Sequence, residues 1–416
     1  MSKRKYRAVD FNRFDWTKAQ ACNRLIVGVD VAKHDFYAAM ETFEGDRLGV
    51  VKWRHPQHTQ GLLELIDERL GGVHLEVVME SSGTYGDALR WQLHRRGVAV
   101  YRVSAKHVHD AAEVFDGVAS LHDGKSAALI AELHRQGRSR RWEMESESRR
   151  RGKALLRRLE LAQERYQRAF NRLESRLSRH WPELGEVVRL DGAAVQTLLA
   201  EYGSPEAVAA ADEQAVEGLR RWSRWWLPRE RCEAVVASAV HTLGMPCCGH
   251  ERVDLQVLAA ELLEAARARR EAERAVAREV DEDAVLARWA SVVGQTTAVV
   301  LRCALGAPEG YPSAGAYLKA AGLNLRERSS GKHQGRLRVT KRGPGVARQY
   351  VYFAVLRWIQ RDLRARAWYE AKSARDGGLK AKAITALMRK LLRALWACAR
   401  SGEVFDSGRV FAPERA

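Results

Sequence analysis

Cysteine is sparse and unpatterned in this chain. Cys22, Cys232, Cys247, Cys248, Cys303 and Cys398 lack the dense spacing of a secreted disulfide scaffold, so a reducing compartment is expected. Cys247-Cys248-Gly249-His250, with Cys232 and His241 upstream, offers zinc-ligand residue types. Adjacent cysteines match structural zinc spacing poorly, however, and a turn after Gly244 and Pro246 is the alternative. Long apolar runs are also missing: none approaches the roughly 20 residues of a membrane span. With no secretory h-region near the start, the expectation is a soluble, cytoplasmic protein with no membrane partner. Acidic residues are in deficit, 52 Asp+Glu against 70 Lys+Arg, for a formal net charge of +18 over 416 residues. That balance favours a polyanionic partner, although solvated basic helix faces would give the same count. The length suits two or three domains.

Against these absences stands an ordered pattern near the start. The apolar Leu25–Val29 predicts a buried strand, and Asp35–Glu41 and Gly49–Trp53 the next two strands of a meander. Thr59–Leu70 has helical spacing, Leu75–Met79 reads as another buried strand, Tyr85–Arg96 as a helix, Val98–Val103 as a strand and Lys125–Arg135 as a closing helix. Such alternation implies an α/β unit with a mixed sheet and helices on its faces. Asp30 in Val-Gly-Val-Asp and Glu80 in Val-Val-Met-Glu then occupy equivalent strand ends, and Asp123 precedes the last helix. Three carboxylates at one sheet edge repel one another unless a cation lies between them. Oxygen-only ligands suit Mg²⁺ or Mn²⁺, and paired ions of this kind serve phosphoryl transfer. Taken singly, Asp30 reads first as an ordinary strand-end or turn aspartate. The loop Ser81-Ser82-Gly83-Thr84-Tyr85-Gly86 leads into a helix N-terminus, which either receives a phosphate or simply caps the helix.

The middle of the chain is nearly free of Gly and Pro from Glu145 to about Arg179, and again is helical from Val257 to Trp289. The two stretches predict an antiparallel helical hairpin or coiled coil, or else a charged helical bundle. Between them, residues 184–250 form an inserted block. Its Leu190–Gly203 segment resembles a helix-hairpin-helix. Arg220-Arg221-Trp222-Ser223-Arg224-Trp225-Trp226 interleaves cations with aromatics, suited to stacking on unpaired bases. The competing reading makes some of these tryptophans core anchors, Trp222 and Trp226 above all.

In the C-terminal part, Ser291–Ala298 opens a second helix-hairpin-helix-like element. Arg326-Glu327-Arg328-Ser329-Ser330-Gly331-Lys332-His333-Gln334-Gly335-Arg336 then leads through Val339-Thr340-Lys341-Arg342-Gly343 into a helix from about Val346 to Ile359. Cations around a Ser-Gly turn, here Arg326, Arg328, Lys332, Arg336, Lys341 and Arg342, can bind a scissile phosphate and stabilise the charge that develops on attack. A serine in such surroundings is a candidate nucleophile.

Gly28-Val29-Asp30-Val31-Ala32-Lys33, Glu80-Ser81-Ser82-Gly83-Thr84-Tyr85 and Asp123-Gly124-Lys125-Ser126-Ala127 resemble the signature segments of the RuvC-like DEDD transposases of the insertion-sequence 110 family, the bridge-RNA-guided recombinases. The Ser330-Gly331 pair with its downstream Thr-Lys-x-Gly, and the closing segment from Lys380 to Phe405, resemble the family's second domain. The likeness covers most of residues 24–406, outside the 184–250 block. It implies an RNase H-like fold in which Asp30, Glu80 and Asp123 bind Mg²⁺, and Ser330 rather than Ser329 forms a covalent link to DNA. It also implies donor and target DNA, a guide RNA, a homo-oligomer of two or four subunits, and residence with the bacterial nucleoid. One position departs: where the pattern wants a fourth acid, this chain has Ser126, with Asp116 as a possible substitute. The expected domains are a basic arm at 1–23, the RuvC-like catalytic domain at 24–143, a helical coiled-coil region at 144–289, a mainly helical serine-bearing domain at 290–406, and a tail at 407–416. A Mg²⁺-dependent junction nuclease that releases free ends is the alternative function, and a non-catalytic nucleic-acid-binding protein a third.

Overall fold

Period-two alternation in the strand Arg24–Val31 (β2) sorts its side chains onto two faces and sets the layers of the first unit. Leu25, Val27 and Val29 pack with Phe36, Met40, Val51, Trp53, Leu62 and Leu93 on one face. Ile26 packs with Val78, Val103, Val108, Leu129 and Ile130 on the other. The computed structural model describes residues 6–81, 83–278, 284–327, 335 and 337–411. These fall into two units, Met1–Glu145 and Ser146–Ala416.

In the first unit, β1 is Ala8–Asp10, β3 Asp35–Thr42, β4 Arg47–Arg54, β5 His74–Glu80, β6 Ala99–Val103 and β7 Arg140–Arg141. The sheet order is β1-β4-β3-β2-β5-β6-β7. β2, β3 and β4 form an antiparallel meander, while β5 pairs parallel to both β2 and β6. The helices are α1 (Thr17–Gln20), α2 (Thr59–Leu70), α3 (Asp87–Arg95), α4 (Ala105–Asp116) and α5 (Asp123–Arg135). This is the mixed α/β sheet expected. The described part of the stretch expected as a basic arm, residues 6–23, lies against this sheet. β1 pairs parallel with β4, and Phe11, Trp16 and Ala19 are buried in the sheet core, three apolar anchors that outweigh the charged residues between them.

The second unit is helical. α6 (Glu147–His180) runs 34 residues, about 50 Å at 1.5 Å per residue. Its partner α12 (Gly249–Ala277) is antiparallel to it, since the ion pairs Arg158–Glu271, Arg172–Glu261 and Arg179–Glu251 count up one helix and down the other. The second long helix thus begins and ends earlier than the expected Val257–Trp289, and Ala284–Val293 is a separate helix, α13. Between α6 and α12 lie α7 (Leu184–Val187), α8 (Ala193–Tyr202), α9 (Pro205–Ala211), α10 (Glu213–Trp222) and α11 (Arg229–Val240). Trp181, Leu198, Leu219, Cys232 and Val235 form their shared core with Leu255 and Leu262 of α12. Trp222 packs on that core, whereas Trp226, expected inside, is 88% exposed. The remaining elements are α14 (Gln295–Leu305), α15 (Ala314–Ala320), the hairpin β8 (Leu325–Glu327) and β9 (Leu337–Val339), α16 (Gly345–Arg361), α17 (Leu363–Arg375), α18 (Lys380–Ser401) and α19 (Ser407–Phe411). Among the described residues no helix is long and apolar enough to cross a membrane.

Candidate metal centre and serine-bearing hairpin

Gly28 explains how a helix reaches the acidic strand end. A Cβ built on it would lie 2.2 Å from the Ala127 carbonyl oxygen and 2.5 Å from the Ala131 nitrogen, so only glycine lets α5 rest directly on β2. Ala127, Ala128 and Ala131 keep the helix side of this contact equally thin. Asp30 is two residues beyond Gly28 and therefore on the same face. Glu80 shares the parity of Val78 on the neighbouring parallel strand, and Asp123 opens α5. Strand period and helix placement together bring the three sequence-predicted acids to one sheet edge.

Their mutual influence is visible in protonation. The Asp30 carboxyl is pushed up to about 6, first by burial and then by the charges of Asp123 and Glu80. Tyr37 stands opposite Asp30 in the β2–β3 register, near enough to Asp123 to feel its charge. Burial, and next the Asp123 charge, raise its own pKa. Nothing in the sequence marked this tyrosine. Among the described residues no three acidic, His or Cys side chains already stand at the spacing of a single ion, so a cation shared by Asp30, Glu80 and Asp123 requires their side chains to turn inward. The donor set itself fits a hard divalent ion: oxygen ligands only, and an excess of negative charge that burial leaves uncompensated.

Ser126 is half-buried on the first turn of α5. Asp116, the possible substitute acid, is engaged elsewhere. It accepts from the buried Lys125 Nζ at 2.6 Å and from the Tyr6 hydroxyl at 3.2 Å, and its carboxyl is held below the usual range, chiefly by that lysine. It is not among the charges that act on Asp30.

A second residue missed by sequence reasoning is Arg90. Its guanidinium is almost wholly buried; Nη2 donates to the Glu80 carbonyl oxygen at 2.8 Å and Nη1 to Asp87 at 2.5 Å. Arg90 thereby ties the first turn of α3 to the last residue of β5. The i, i+3 spacing of Asp87 and Arg90 was the available signal. Asp87 already places a carboxylate in that first turn, which disfavours a further anion there, and Gly86 caps the helix without a side-chain bond.

In the second unit the described base of the serine-bearing segment is a fixed hairpin. Arg326 lies directly opposite Arg338 across β8 and β9. Paired like charges weaken a ladder unless an anion is present. The strand that follows is anchored, with Thr340 N–H bonded to the Asn324 carbonyl and Lys341 N–H to that of Gly322. Gly343 approaches α15 so closely that a Cβ would lie 2.2 Å from the Ala320 carbonyl oxygen, and Arg348 donates to the carbonyls of Ala321 and Gly343. Arg326, Lys341 and Arg342 are exposed. Ser329, Ser330, Arg328, Lys332 and Arg336 lie outside the described residues.

Two family models match the chain. One, described as a transposase of the DEDD insertion-sequence 110 type, matches residues 27–182 and includes all three acids. The other, described as "Transposase IS116/IS110/IS902 family", matches residues 290–370 and includes the hairpin. The chain is also similar to the "Insertion element IS110 uncharacterized 43.6 kDa protein" of Streptomyces coelicolor, 26% identical over 245 residues. That match covers 58% of this chain and 60% of the relative.

Proposed function

The chain belongs to the insertion-sequence 110 family of transposases, and on that premise we propose that it excises and integrates an insertion element by cutting and rejoining DNA. The observation that carries this reading is the like-charged edge formed by Asp30, Glu80 and Asp123, where burial and two neighbouring carboxylates push Asp30 up to about 6. Asp30, Glu80 and Asp123 would hold Mg²⁺ or Mn²⁺, which when bound supplies charge neutralisation for phosphoryl transfer. Arg90 fixes the Glu80 backbone, and Tyr37 lies beside the acids, opposite Asp30.

Ser330 is assigned as nucleophile. Its hydroxyl oxygen forms an ester with phosphorus and displaces a deoxyribose oxygen, which leaves with a proton. Attack on that ester by a deoxyribose hydroxyl of the exchanged strand reverses the step, so bond energy is conserved. Arg326, Lys341 and Arg342, with Arg328, Lys332 and Arg336, are assigned to phosphate binding, where guanidinium and ammonium donors meet the developing charge. The partners are donor and target DNA, a guide RNA and further copies of the chain, two or four in all, since two duplexes must be cut together.

Cleavage of duplex DNA by Asp30→Asn, Glu80→Gln and Asp123→Asn, each compared with its DNA binding, tests the acidic site. Each variant should bind and fail to cut. A variant that cuts at the normal rate removes its residue from the site.

A further inference from the structure

Helix α10 ends in a loop that none of the proposed DNA chemistry uses. Its buried face carries Ala215, Val216 and Leu219, and Trp222 packs on the same core. The next aromatics turn outward: Trp225 is 61% exposed and Trp226 88%. The backbone holds them there. Arg224 and Trp225 both take left-handed conformations, φ +52° and +64°, which side chains with a Cβ rarely adopt. The turn is closed by its own bonds, Arg224 N–H to Arg221, Trp225 N–H to Arg220 and Trp226 N–H to the Ser223 carbonyl. Two consecutive unfavourable residues spent on displaying two tryptophans to solvent point to a use for the display.

The surroundings indicate the ligand. The Arg220 guanidinium lies 4.6 Å from the centre of the Trp225 ring, which extends a flat, cationic platform. Beside the loop opens a cleft of about 630 Å³ lined by Trp222, Arg224, Arg231 and the start of α8 at Gly192–Ala193. Gly192 caps α8 without a side-chain acceptor, so the first N–H groups of that helix are left for another acceptor. Aromatic faces flanked by arginine suit unstacked bases joined by phosphates; a duplex hides its base faces inside the stack.

We propose that the Arg220–Trp226 loop and its cleft bind unpaired nucleotides of RNA, with bases stacked on Trp225 and Trp226 and phosphates held by Arg224 and the N-terminus of α8. The choice of RNA rests on the proposed function, in which the DNA partners are duplex and the RNA supplies the unpaired strand. By contrast, Arg158, Arg168 and Arg172 of α6 are poor candidates, since they already pair with Glu271, Glu164 and Glu261.

The test is binding of a labelled, unstructured oligouridine RNA to the full chain, measured by fluorescence anisotropy beside a single-stranded DNA and a duplex RNA. The double variant Trp225→Ala/Trp226→Ala should bind the oligouridine at least about tenfold more weakly, the loss expected for one or two stacked bases. Trp225→Phe/Trp226→Phe, which keeps flat faces, should retain most of the binding, and both variants should keep the wild-type unfolding midpoint because the side chains are exposed. Unchanged RNA binding in the alanine variant, equal failure of the phenylalanine variant, or equally tight binding of the DNA strand or the duplex would each overturn the proposal. DNA cleavage by the wild-type chain is followed in the same preparation. Wild type that binds RNA through the tryptophans but cuts no DNA sinks the recombinase reading and leaves this site standing. Cleavage by wild type with no effect of the tryptophans on RNA sinks this site alone.

Discussion

Replacing Asp30 by asparagine should stabilise the metal-free protein, but only at neutral and higher pH. The Asp30 carboxyl is pushed from 3.8 to about 6 by burial and by Asp123 and Glu80. A shift of roughly two pH units corresponds to about 3 kcal/mol at about 1.4 kcal/mol per unit. Its sign follows from proton uptake. Between about pH 4 and pH 6 the folded chain holds more protons than the unfolded one, so stability falls as pH rises through that window, and the whole penalty is present above it. Asparagine does not ionise and avoids the fall. The variant and the wild type should therefore unfold together at about pH 4, and the variant should be more stable by up to about 3 kcal/mol at about pH 8. For a unit of about 150 residues that is a rise of roughly 6–12 °C in Tm. The assay is thermal unfolding in chelator at the two pH values, repeated with excess Mg²⁺, which should narrow the gap by stabilising the wild type alone. A variant less stable than wild type at the higher pH, or a gap independent of pH, would refute the account of a charge-crowded edge.

Gly28→Ala should cost about 3 kcal/mol or more and lower the unfolding midpoint, because its Cβ meets the α5 backbone and the helix must back away. Arg90→Met, read by the Mg²⁺ concentration for half-maximal DNA cleavage, should need severalfold more cation, about the loss of one hydrogen bond that positions Glu80. Ser126→Asp should lower that concentration, whereas Asp116→Asn should leave it unchanged and reduce thermal stability, since it strips the buried Lys125 of its carboxylate partner. DNA and RNA association should fall with salt at a log–log slope of about −0.9 per contacted phosphate on duplex DNA; a flat response would contradict the phosphate-binding role of the basic hairpin.

The strands carrying Asp30 and Glu80 were legible because each is a mostly apolar run, buried on both faces and ending near a carboxylate, with Glu76 of β5 tolerated inside through its pairing with Arg24 and His134. α2 was legible to the residue, at Thr59–Leu70. β1 was not, since three residues in a charged segment carry no periodicity, and only the pairing with β4 makes them a strand. α4 was missed as well: its buried residues are few, Val108 and Ala112, among polar neighbours. The acids could be named from the sequence, but Tyr37 and Arg90 could not. Their roles arise from cross-strand register and from a helix that folds back on β5; the i, i+3 spacing of Asp87 and Arg90 is a local trace, but it does not point to Glu80. Trp226 was misjudged because an aromatic residue beside an amphipathic helix defaults to the core. Only the left-handed backbone at Arg224 and Trp225 turns it outward.

The central claim, strand exchange through a serine ester, is tested most directly by trapping protein on target DNA in Mg²⁺ and mapping the modified residue by mass spectrometry. The account predicts a covalent adduct on Ser330, absent from Ser330→Ala and from Asp30→Asn. Cut DNA with free ends and no adduct, or an adduct that persists in Ser330→Ala, would contradict it.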